Sequence, residues 1–377
     1  FSSEFAVVAD QTKPEIEITN LSTPRNGIFK GDVKLHIEVT DPENNKTYSG
    51  LEEVWYDVKA SGNVVKEVRY PSLVDNSANP VKGNQSWSGD ITIPAAEYNS
   101  NDVKVQVHAR DFSGNVYDSE IVPLKIDITH PTIAVTYDLN TPLNERYYKD
   151  VRTATVVVIE RNFDESAVRF NITNTDGTQP AISGWTHSAN AGVSDDATHT
   201  CQVTFAADGD YTFTLETTDL AGNASSYNRV DDFTIDRTVP TIQVYYDNNS
   251  AATPGYFNAN RTATVTVNEH NFNAAEVNAQ ITAALQGSGV AAPGLGGWST
   301  NGDVHTASVT FSADADYTFD VDYTDLAGNA AADYTQDKFT VDKTDPEVEF
   351  FDIEDKSANN GTVAPGVKYS DVNYMES

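Results

Sequence analysis

Apolar and polar residues alternate one by one along several segments of the chain. In residues 262–268 every second position is Ala or Val, and residues 317–324 alternate Tyr, Phe and Val with Thr and Asp. A period of two places one set of side chains on a buried face and the other in water, as in antiparallel sheets. Such segments recur about every 8–12 residues between Gly, Asn and Asp, which predicts an all-β sandwich fold.

A second pattern recurs at a much longer spacing. The motif Asp-x-Thr-x-Pro begins at residues 10, 127, 236 and 342, each time between two apolar runs. Proline fixes φ and is excluded from central strands, so each copy predicts a short, stiff linker between two domains. The spacing of roughly 110 residues is the size of an immunoglobulin-like sandwich.

The linkers divide the chain into five predicted parts. Repeats two and three align closely, whereas repeat one is divergent and a fourth repeat stops early. We interpret the chain as an excerpt from a longer array, cut within domains. Residues 1–9 are an end strand of a preceding repeat or an N-terminal extension, and residues 10–127 are a divergent immunoglobulin-like domain. Residues 128–236 and 237–342 are two related immunoglobulin-like domains, and residues 343–377 are the truncated start of a fourth.

A pentad near the end of each repeat completes the pattern. Asp-x-x-Gly-Asn occupies Asp111–Asn115, Asp219–Asn223 and Asp325–Asn329. Linkers, repeats and pentads together resemble tandem bacterial immunoglobulin-like domains of cell-surface proteins and adhesins. The resemblance implies an elongated, extracellular array, either at the bacterial cell surface or secreted. Tyr211 and Tyr317 stand where such a sandwich has its tyrosine corner.

Composition narrows the range of partners. The chain has 56 acidic and 24 basic residues, a net charge of −32. Nucleic acid is therefore excluded as a partner, since phosphate binding needs clustered Lys and Arg, and cations are favoured. No apolar run approaches the ~20 residues of a membrane span. The single cysteine, Cys201, is in register with Val203 and Phe205, so we expect a buried, inert thiol.

No catalytic motif stands out in the sequence. His-Glu-x-x-His, Gly-x-Ser-x-Gly and P-loop patterns are absent. His199 and His305 occupy equivalent positions at strand starts, and we expect satisfied histidines at the surface or at a sheet edge. The sequence therefore predicts a protein that is not an enzyme.

The pentad has a structural explanation and a chemical one. As a turn, its Asp accepts backbone N–H groups and its Gly takes positive φ. In an immunoglobulin sandwich, this turn also shares one end of the domain with the loop after the second strand. The incoming linker arrives there too, and each of these segments carries an acid. The sequence therefore predicts three carboxylates at each junction.

Close carboxylates repel one another, and a hard cation with oxygen ligands relieves the repulsion. We therefore predict Ca²⁺ at the junctions, as the resemblance to calcium-stiffened adhesin arrays also implies, with the pentad Asn adding a carbonyl oxygen. The alternative of turn-capping and solvated loop acids stays open. The candidate ligands are Asp10, Asp41, Asp111, Asp127, Glu160, Asp219, Asn223, Asp236, Glu269, Asp325, Asn329, Asp342 and Asp371.

Two surface features suggest a partner. Val157 and Ile159 are predicted on the wet face of a strand, where they mark a candidate contact for a host or cell-surface protein. Trp185 and Trp298 either stack on a glycan or plug the core. We favour a structural stalk of a surface protein or adhesin. The alternatives are a module that binds a host protein, such as an immunoglobulin or matrix component, through a sheet face or edge, and an accessory part of an extracellular enzyme.

Overall fold

The chain folds almost entirely into β-strands, which confirms the predicted all-β class. The computed structural model describes residues 9–44, 47–60, 63–69, 83–251, 253–352 and 360–373. The predicted end strand of a preceding repeat, at residues 1–9, lies outside the described residues except for its last position. The described part of the chain has no helix long and apolar enough to cross a membrane.

Sandwich 1 is the divergent one. One sheet has the strand order β1-β2-β5, and the other has β4-β3-β6 with β7 and β8 each paired to β6. Its strands are β1 (Glu15–Asn20), β2 (Val33–Thr40), β3 (Leu51–Ala60), β4 (Asn63–Arg69), β5 (Ser86–Ile93), β6 (Ser100–Asp111), β7 (Val116–Asp118) and β8 (Val122–Ile126).

Sandwich 2 contains every strand of the two-sheet immunoglobulin order. Its strands are β9 (Thr132–Tyr137), β10 (Tyr147–Tyr148), β11 (Arg152–Ile159), β12 (Arg169–Asn174), β13 (Ala181–Ile182), β14 (Thr186–His187), β15 (Thr198–Phe205), β16 (Gly209–Thr218), β17 (Ala224–Ser226) and β18 (Asp231–Ile235). One sheet runs β9-β11-β15-β13, with β14 beside β15, and the other β10-β18-β16-β12, with β17 beside β16. This order matches the ABED and CFG sheets of immunoglobulin sandwiches. A 3₁₀ turn, Glu165–Ala167, precedes β12.

Sandwich 3 repeats this design. Its strands are β19 (Thr241–Tyr246), β20 (Tyr256–Phe257), β21 (Arg261–Asn268), β22 (Val277–Leu285), β23 (Ser288–Gly289), β24 (Ser299–Asn301), β25 (Val304–Phe311), β26 (Ala315–Tyr323) and β27 (Asp337–Val341). One sheet has the order β19-β21-β25-β24 and the other β20-β27-β26-β22-β23. The 3₁₀ turn Ala274–Glu276 precedes β22.

A final pair of strands starts the pattern again. β28 (Glu347–Phe351) and β29 (Gly366–Ser370) are antiparallel, with Phe350 opposite Val367. The corresponding pair in sandwich 3 is Val244 and Val265. Both residues of the final pair are exposed, whereas Val265 is buried in the core of sandwich 3.

The inward positions of the alternating segments form the core of each sandwich. Ala263, Val265 and Val267 of β21 are buried, as the period of two predicts. Burying a large aliphatic or aromatic side chain contributes about 1.5–3 kcal/mol each to stability. The predicted tyrosine corners are confirmed, because the hydroxyl of Tyr211 donates to the carbonyl of Ala207 and Tyr317 does the same to Ala313, both at 2.9 Å.

Cys201 and the two tryptophans also belong to the packing. Cys201 is buried, and burial raises the pKa of its thiol to about 11, so the thiolate is scarce at neutral pH. Trp185 packs against the ring of Phe163, and Trp298 against that of Phe272, with centroids 4.9 Å apart in each pair. Both indoles are partly buried against the cores, so they serve as plugs.

Candidate metal centre

Three clusters of acidic side chains lie at equivalent ends of the three sandwiches. Each combines a linker acid, an acid that follows the second strand, and the first residue of the pentad. Within a cluster, one carboxylate oxygen of each residue lies within 4.8 Å of the oxygens from the other two. The first cluster is Asp10, Asp41 and Asp111, the second is Asp127, Glu160 and Asp219, and the third is Asp236, Glu269 and Asp325.

The linker acid is positioned by the Asp-x-Thr motif itself. The backbone N–H of Thr238 donates to Oδ1 of Asp236 at 3.1 Å, and the other three linkers make the same bond. The hydroxyl of Thr238 then donates to Asp208 of the preceding sandwich at 2.8 Å. The motif therefore ties the linker to the domain behind it and presents its carboxylate to the domain ahead.

The pentad acid caps its own turn. Oδ1 of Asp219 accepts from the backbone N–H of Gly222 at 2.6 Å and of Asn223 at 2.8 Å. Gly222 has φ +99°, a conformation that favours glycine. Asp325 makes the same two bonds, each at 2.8 Å. The predicted turn is therefore present, and it directs the carboxylate into the cluster.

The pentad asparagines direct their amide nitrogen, and not the predicted carbonyl oxygen, towards the cluster acids. Nδ2 of Asn223 donates to Oδ2 of Asp219 at 2.8 Å and to the carbonyl of Asp127 at 3.1 Å. Asn329 does the same to Asp325 and to the carbonyl of Asp236, at 2.9 Å each. A carboxylate among other carboxylates needs donors, so the arrangement corrects the role of Asn223 and Asn329 from carbonyl ligands to hydrogen-bond donors.

The middle acid of each cluster has an oxygen without a hydrogen-bond donor. In Glu160 and Glu269, Oε1 accepts from the backbone N–H two residues ahead at 2.8 Å. Oε2 of both residues, and Oδ1 of Asp41, accept no hydrogen bond from any described residue. These side chains are 0 %, 3 % and 0 % exposed, respectively. A buried carboxylate oxygen with no partner costs on the order of 1–3 kcal/mol or more, so these atoms fit a site that takes a cation.

The electrostatics of the clusters support this. Burial, together with the charges of Asp127 and Asp219, raises the pKa of Glu160 to about 8. Burial raises the pKa of Glu269 to about 7, with Asp236 and Asp325 adding to the effect. The pKa of Asp41 is likewise raised by burial. The clusters therefore relieve their repulsion either by holding protons or by binding an external positive charge.

A further asparagine, which the sequence pattern did not predict, reaches the linker acid in repeats two, three and four. Nδ2 of Asn162 donates to Oδ2 of the linker acid Asp127 at 2.5 Å, and Asn271 donates to Asp236 at 2.9 Å. Asn373 makes the corresponding bond to Asp342 at 2.7 Å. The sequence signal is an acid-x-Asn pattern at Glu160 to Asn162, Glu269 to Asn271 and Asp371 to Asn373, which the first repeat lacks because Glu43 stands there.

His199 and His305 are buried behind the clusters, which corrects their expected place at the surface or at a sheet edge. Nε2 of His199 lies 2.7 Å from the carbonyl of Glu160, and Nε2 of His305 lies 2.8 Å from that of Glu269. A carbonyl only accepts, so Nε2 carries the proton in both rings. The rings stack on Phe163 and Phe272, respectively. The histidines thus anchor the backbone of the middle acid and are not ligands.

The remaining candidates fall in different places. Asp342 and Asp371 are brought together by Asn373, whose backbone N–H donates to Asp371 at 2.7 Å and whose side chain reaches Asp342. Val157 and Ile159 are half-buried on the outer face of β11, a strand flanked by β9 and β15. Partner binding by these two residues stays a prediction.

The chemical type of the potential ligand atoms favours one class of metal ion. The potential ligands in the three clusters are all carboxylate oxygens, and no cysteine or free imidazole nitrogen joins them among the described residues. Hard cations such as Ca²⁺ take six to eight oxygens, whereas zinc prefers nitrogen and sulfur. The residues present therefore fit calcium.

Comparisons with solved structures find neighbours at low sequence identity and low TM-score. No family model and no curated protein matches the chain. Solved structures that resemble it include the Escherichia coli adhesin FdeC, at 13 % identity and TM-score 0.33, covering 90 % of this chain and 100 % of that one. A bacterial ice-binding adhesin matches at 15 % identity and TM-score 0.28, over 88 % of this chain and 99 % of that one. Domains 4–9 of the surface-layer protein SbsC match at 13 % identity and TM-score 0.18, over 89 % and 48 %.

Proposed function

We propose that the chain is a non-catalytic stalk segment of an extracellular surface protein of the adhesin type. Its immunoglobulin-like sandwiches are held in fixed orientation by Ca²⁺ at the junctions. The observation that supports this is the buried middle acid, Glu160 or Glu269, whose Oε2 accepts no hydrogen bond from the described residues. Two aspartates from separate segments stand beside it.

The acids of each junction come from both sandwiches. Asp236 follows β18 of sandwich 2, while Glu269 and Asp325 follow β21 and β26 of sandwich 3. These three residues would hold the ion through carboxylate oxygens, and the ion would supply the positive charge that offsets their repulsion. Because the ligands lie on both sides of the linker, binding would reduce the freedom of one sandwich relative to the next.

Calcium titration into the chelated protein tests the proposal. We expect heat of binding by calorimetry, a rise in melting temperature and an increase in scattering-derived length. At 100 times the Kd, calcium adds about 2.7 kcal/mol of stability, roughly 10 °C or more for a sandwich of this size.

Two controls define the outcome. The same titration with Mg²⁺ should give a weaker response, because Mg²⁺ keeps its water and demands octahedral geometry. The variant Glu276→Gln removes an exposed acid of sandwich 3 and should leave the response intact. No bound ion, with no change in melting temperature or length, contradicts the proposal.

A further inference from the structure

The residue after the middle acid differs at every junction. Pro42, Arg161, His270 and Val372 occupy this position in the four repeats. The side chain of Arg161 is 4 % exposed, whereas that of His270 is 70 % exposed. The second and third clusters therefore share their acids but differ in whether a buried, permanently charged side chain accompanies them.

Arg161 places a positive charge at the second cluster. Its Nη2 lies 3.2 Å from Oδ1 of the linker acid Asp127. Its Nη1 lies 2.9 Å from Oδ1 of Asp195, in the loop that precedes β15. A guanidinium cannot lose its proton under ordinary conditions, so this charge is permanent.

Arg161 also joins sandwich 2 to sandwich 1. Its Nη2 donates to Oδ1 of Asn99 at 2.8 Å and to the carbonyl of Ile126 at 3.2 Å, and its Nη1 donates to the carbonyl of Asn99 at 3.3 Å. Asn99 and Ile126 belong to sandwich 1. One side chain thus neutralises a cluster acid and bonds the preceding domain.

At the third cluster, the space equivalent to the one that the Arg161 side chain fills at the second cluster is a cavity of about 390 Å³. Its lining includes Asp208, Ile235 and Asp236, the counterparts of Asn99, Ile126 and Asp127. The correspondence follows from the strand register, in which Gly209 pairs with Ile235 as Ser100 pairs with Ile126.

His270 lines that cavity, but its ion pair is with Asp303 and not with an acid of the cluster. Its Nδ1 lies 2.8 Å from Asp303 at the edge of the cavity. The nearby arginines pair with acids of the cavity lining that are not part of the cluster: Arg237 with Asp208 at 3.2 Å, and Arg146 with Asp210 at 2.9 Å. Among the described residues, no Lys or Arg forms an ion pair with the third cluster.

We propose that the two junctions differ in how they are neutralised, with Arg161 serving as a built-in cation at the second cluster while the third cluster depends on an external divalent cation. This rests on the proposed calcium binding and specifies its regulation. Removal of calcium then loosens the connection between sandwiches 2 and 3, and sandwich 1 stays attached to sandwich 2. Calcium affinity at the second cluster is about tenfold or more below that at the third, because the guanidinium repels the ion.

Reciprocal substitutions test this in the full chain. Spin labels on Cys variants of the exposed Thr92, Gln202 and Ser308 report one distance across each junction, in a Cys201→Ala background. Alanine suits that site because Ala307 is its counterpart in sandwich 3. On chelation we expect the 202–308 distance to lose its single narrow distribution and the 92–202 distance to keep it.

Substitutions at positions 161 and 270 should exchange the calcium dependence of the two distances. Arg161→His should make the 92–202 distance depend on calcium, and Arg161→Lys should restore much of its independence. His270→Arg should hold the 202–308 distance narrow in chelator and lower calcium affinity there by calorimetry. Circular dichroism confirms that each variant is folded.

The outcomes separate this inference from the proposed function. If calcium binds but both distances respond equally in the wild type, or if the substitutions do not shift the response, the inference is wrong and calcium binding stands. If no ion binds to the wild type at all, both fail.

Discussion

At the scale of single residues, the middle acid of each cluster is the one whose charge most needs to be neutralised. The flanking aspartates have donors within the turn or linker, whereas Oε2 of Glu269 has none among the described residues and is buried. An unpaired buried charge is costly and is neutralised by a proton or by a counter-ion. The effect of the Glu269 carboxylate on the free energy of unfolding should therefore change sign between chelator and calcium.

Glu269→Gln tests this reversal. The amide removes a charge that is repelled by Asp236 and Asp325 and offers them N–H donors, so in chelator the variant should be more stable by about 1–2 kcal/mol. With saturating calcium it should be less stable than the wild type, because a ligand is lost. Urea unfolding in both conditions measures the two differences.

The matched control is Glu276→Gln, an exposed acid of the same sandwich. It should change stability by less than about 0.5 kcal/mol in either condition. A loss of stability in chelator for Glu269→Gln would show that the Glu269 carboxylate stabilises the fold without an ion, which contradicts this prediction.

At the scale of elements, the pentad turn also docks the preceding sandwich. In sandwich 1, the loop between β1 and β2 contacts the turn of sandwich 2, where Asn26 donates to the carbonyl of Leu220 at 3.0 Å and Lys30 to that of Gly222 at 2.6 Å. Asn144 of sandwich 2 donates likewise to Leu326 of sandwich 3 at 2.7 Å. The pentad turns of sandwiches 2 and 3 thus contribute both to a cluster and to a second attachment.

The pentad glycines allow a controlled test of this attachment. Gly114 and Gly328 both have positive φ, and a Cβ on Gly114 would meet nothing within 4 Å. A Cβ on Gly328 would lie 2.9 Å from Cδ2 of Leu143 in the preceding sandwich. Gly114→Ala should cost only backbone strain, about 1–2 kcal/mol.

Gly328→Ala should carry the same strain and also displace Leu143, which weakens the attachment between sandwiches 2 and 3. We expect faster proteolysis at the linker near residue 237 in this variant than in Gly114→Ala. Equal proteolysis of the two variants would mean that the contact does not restrain the junction.

These elements show how far the sequence could predict the structure. The period of two identified the strands, and the immunoglobulin order placed the three acids of each cluster at one end, since topology alone brings those loops together. The amide orientation of Asn223, the burial of His199 and the reach of Arg161 could not be predicted. They depend on side-chain packing across loops and between sandwiches, which no local pattern encodes.

At the scale of the whole molecule, the acidic clusters should make stability without calcium fall as pH rises and make the stabilisation by calcium grow over the same range. The pKa of Glu269 is raised to about 7 and that of Glu160 to about 8, mainly by burial. Glutamate in an unfolded chain titrates near about 4.3. Between these values the folded state holds more protons than the unfolded state, so the free energy of unfolding falls as pH rises.

In chelator we therefore expect a loss on the order of 3 kcal/mol from Glu269 between about pH 5 and pH 7, and on the order of 4 kcal/mol from Glu160 between about pH 5 and pH 8, at about 1.4 kcal/mol for each unit of pKa. Asp10, Asp208 and Asp247, whose pKa values are lowered by hydrogen bonds, act with the opposite sign only below this range. Calcium competes with protons for the same oxygens, so its stabilisation should grow over the same window. Melting curves at several pH values should thus converge near pH 5 and separate towards pH 8. The double variant Glu160→Gln, Glu269→Gln should flatten both dependences, and parallel curves in the wild type would contradict competition between protons and calcium.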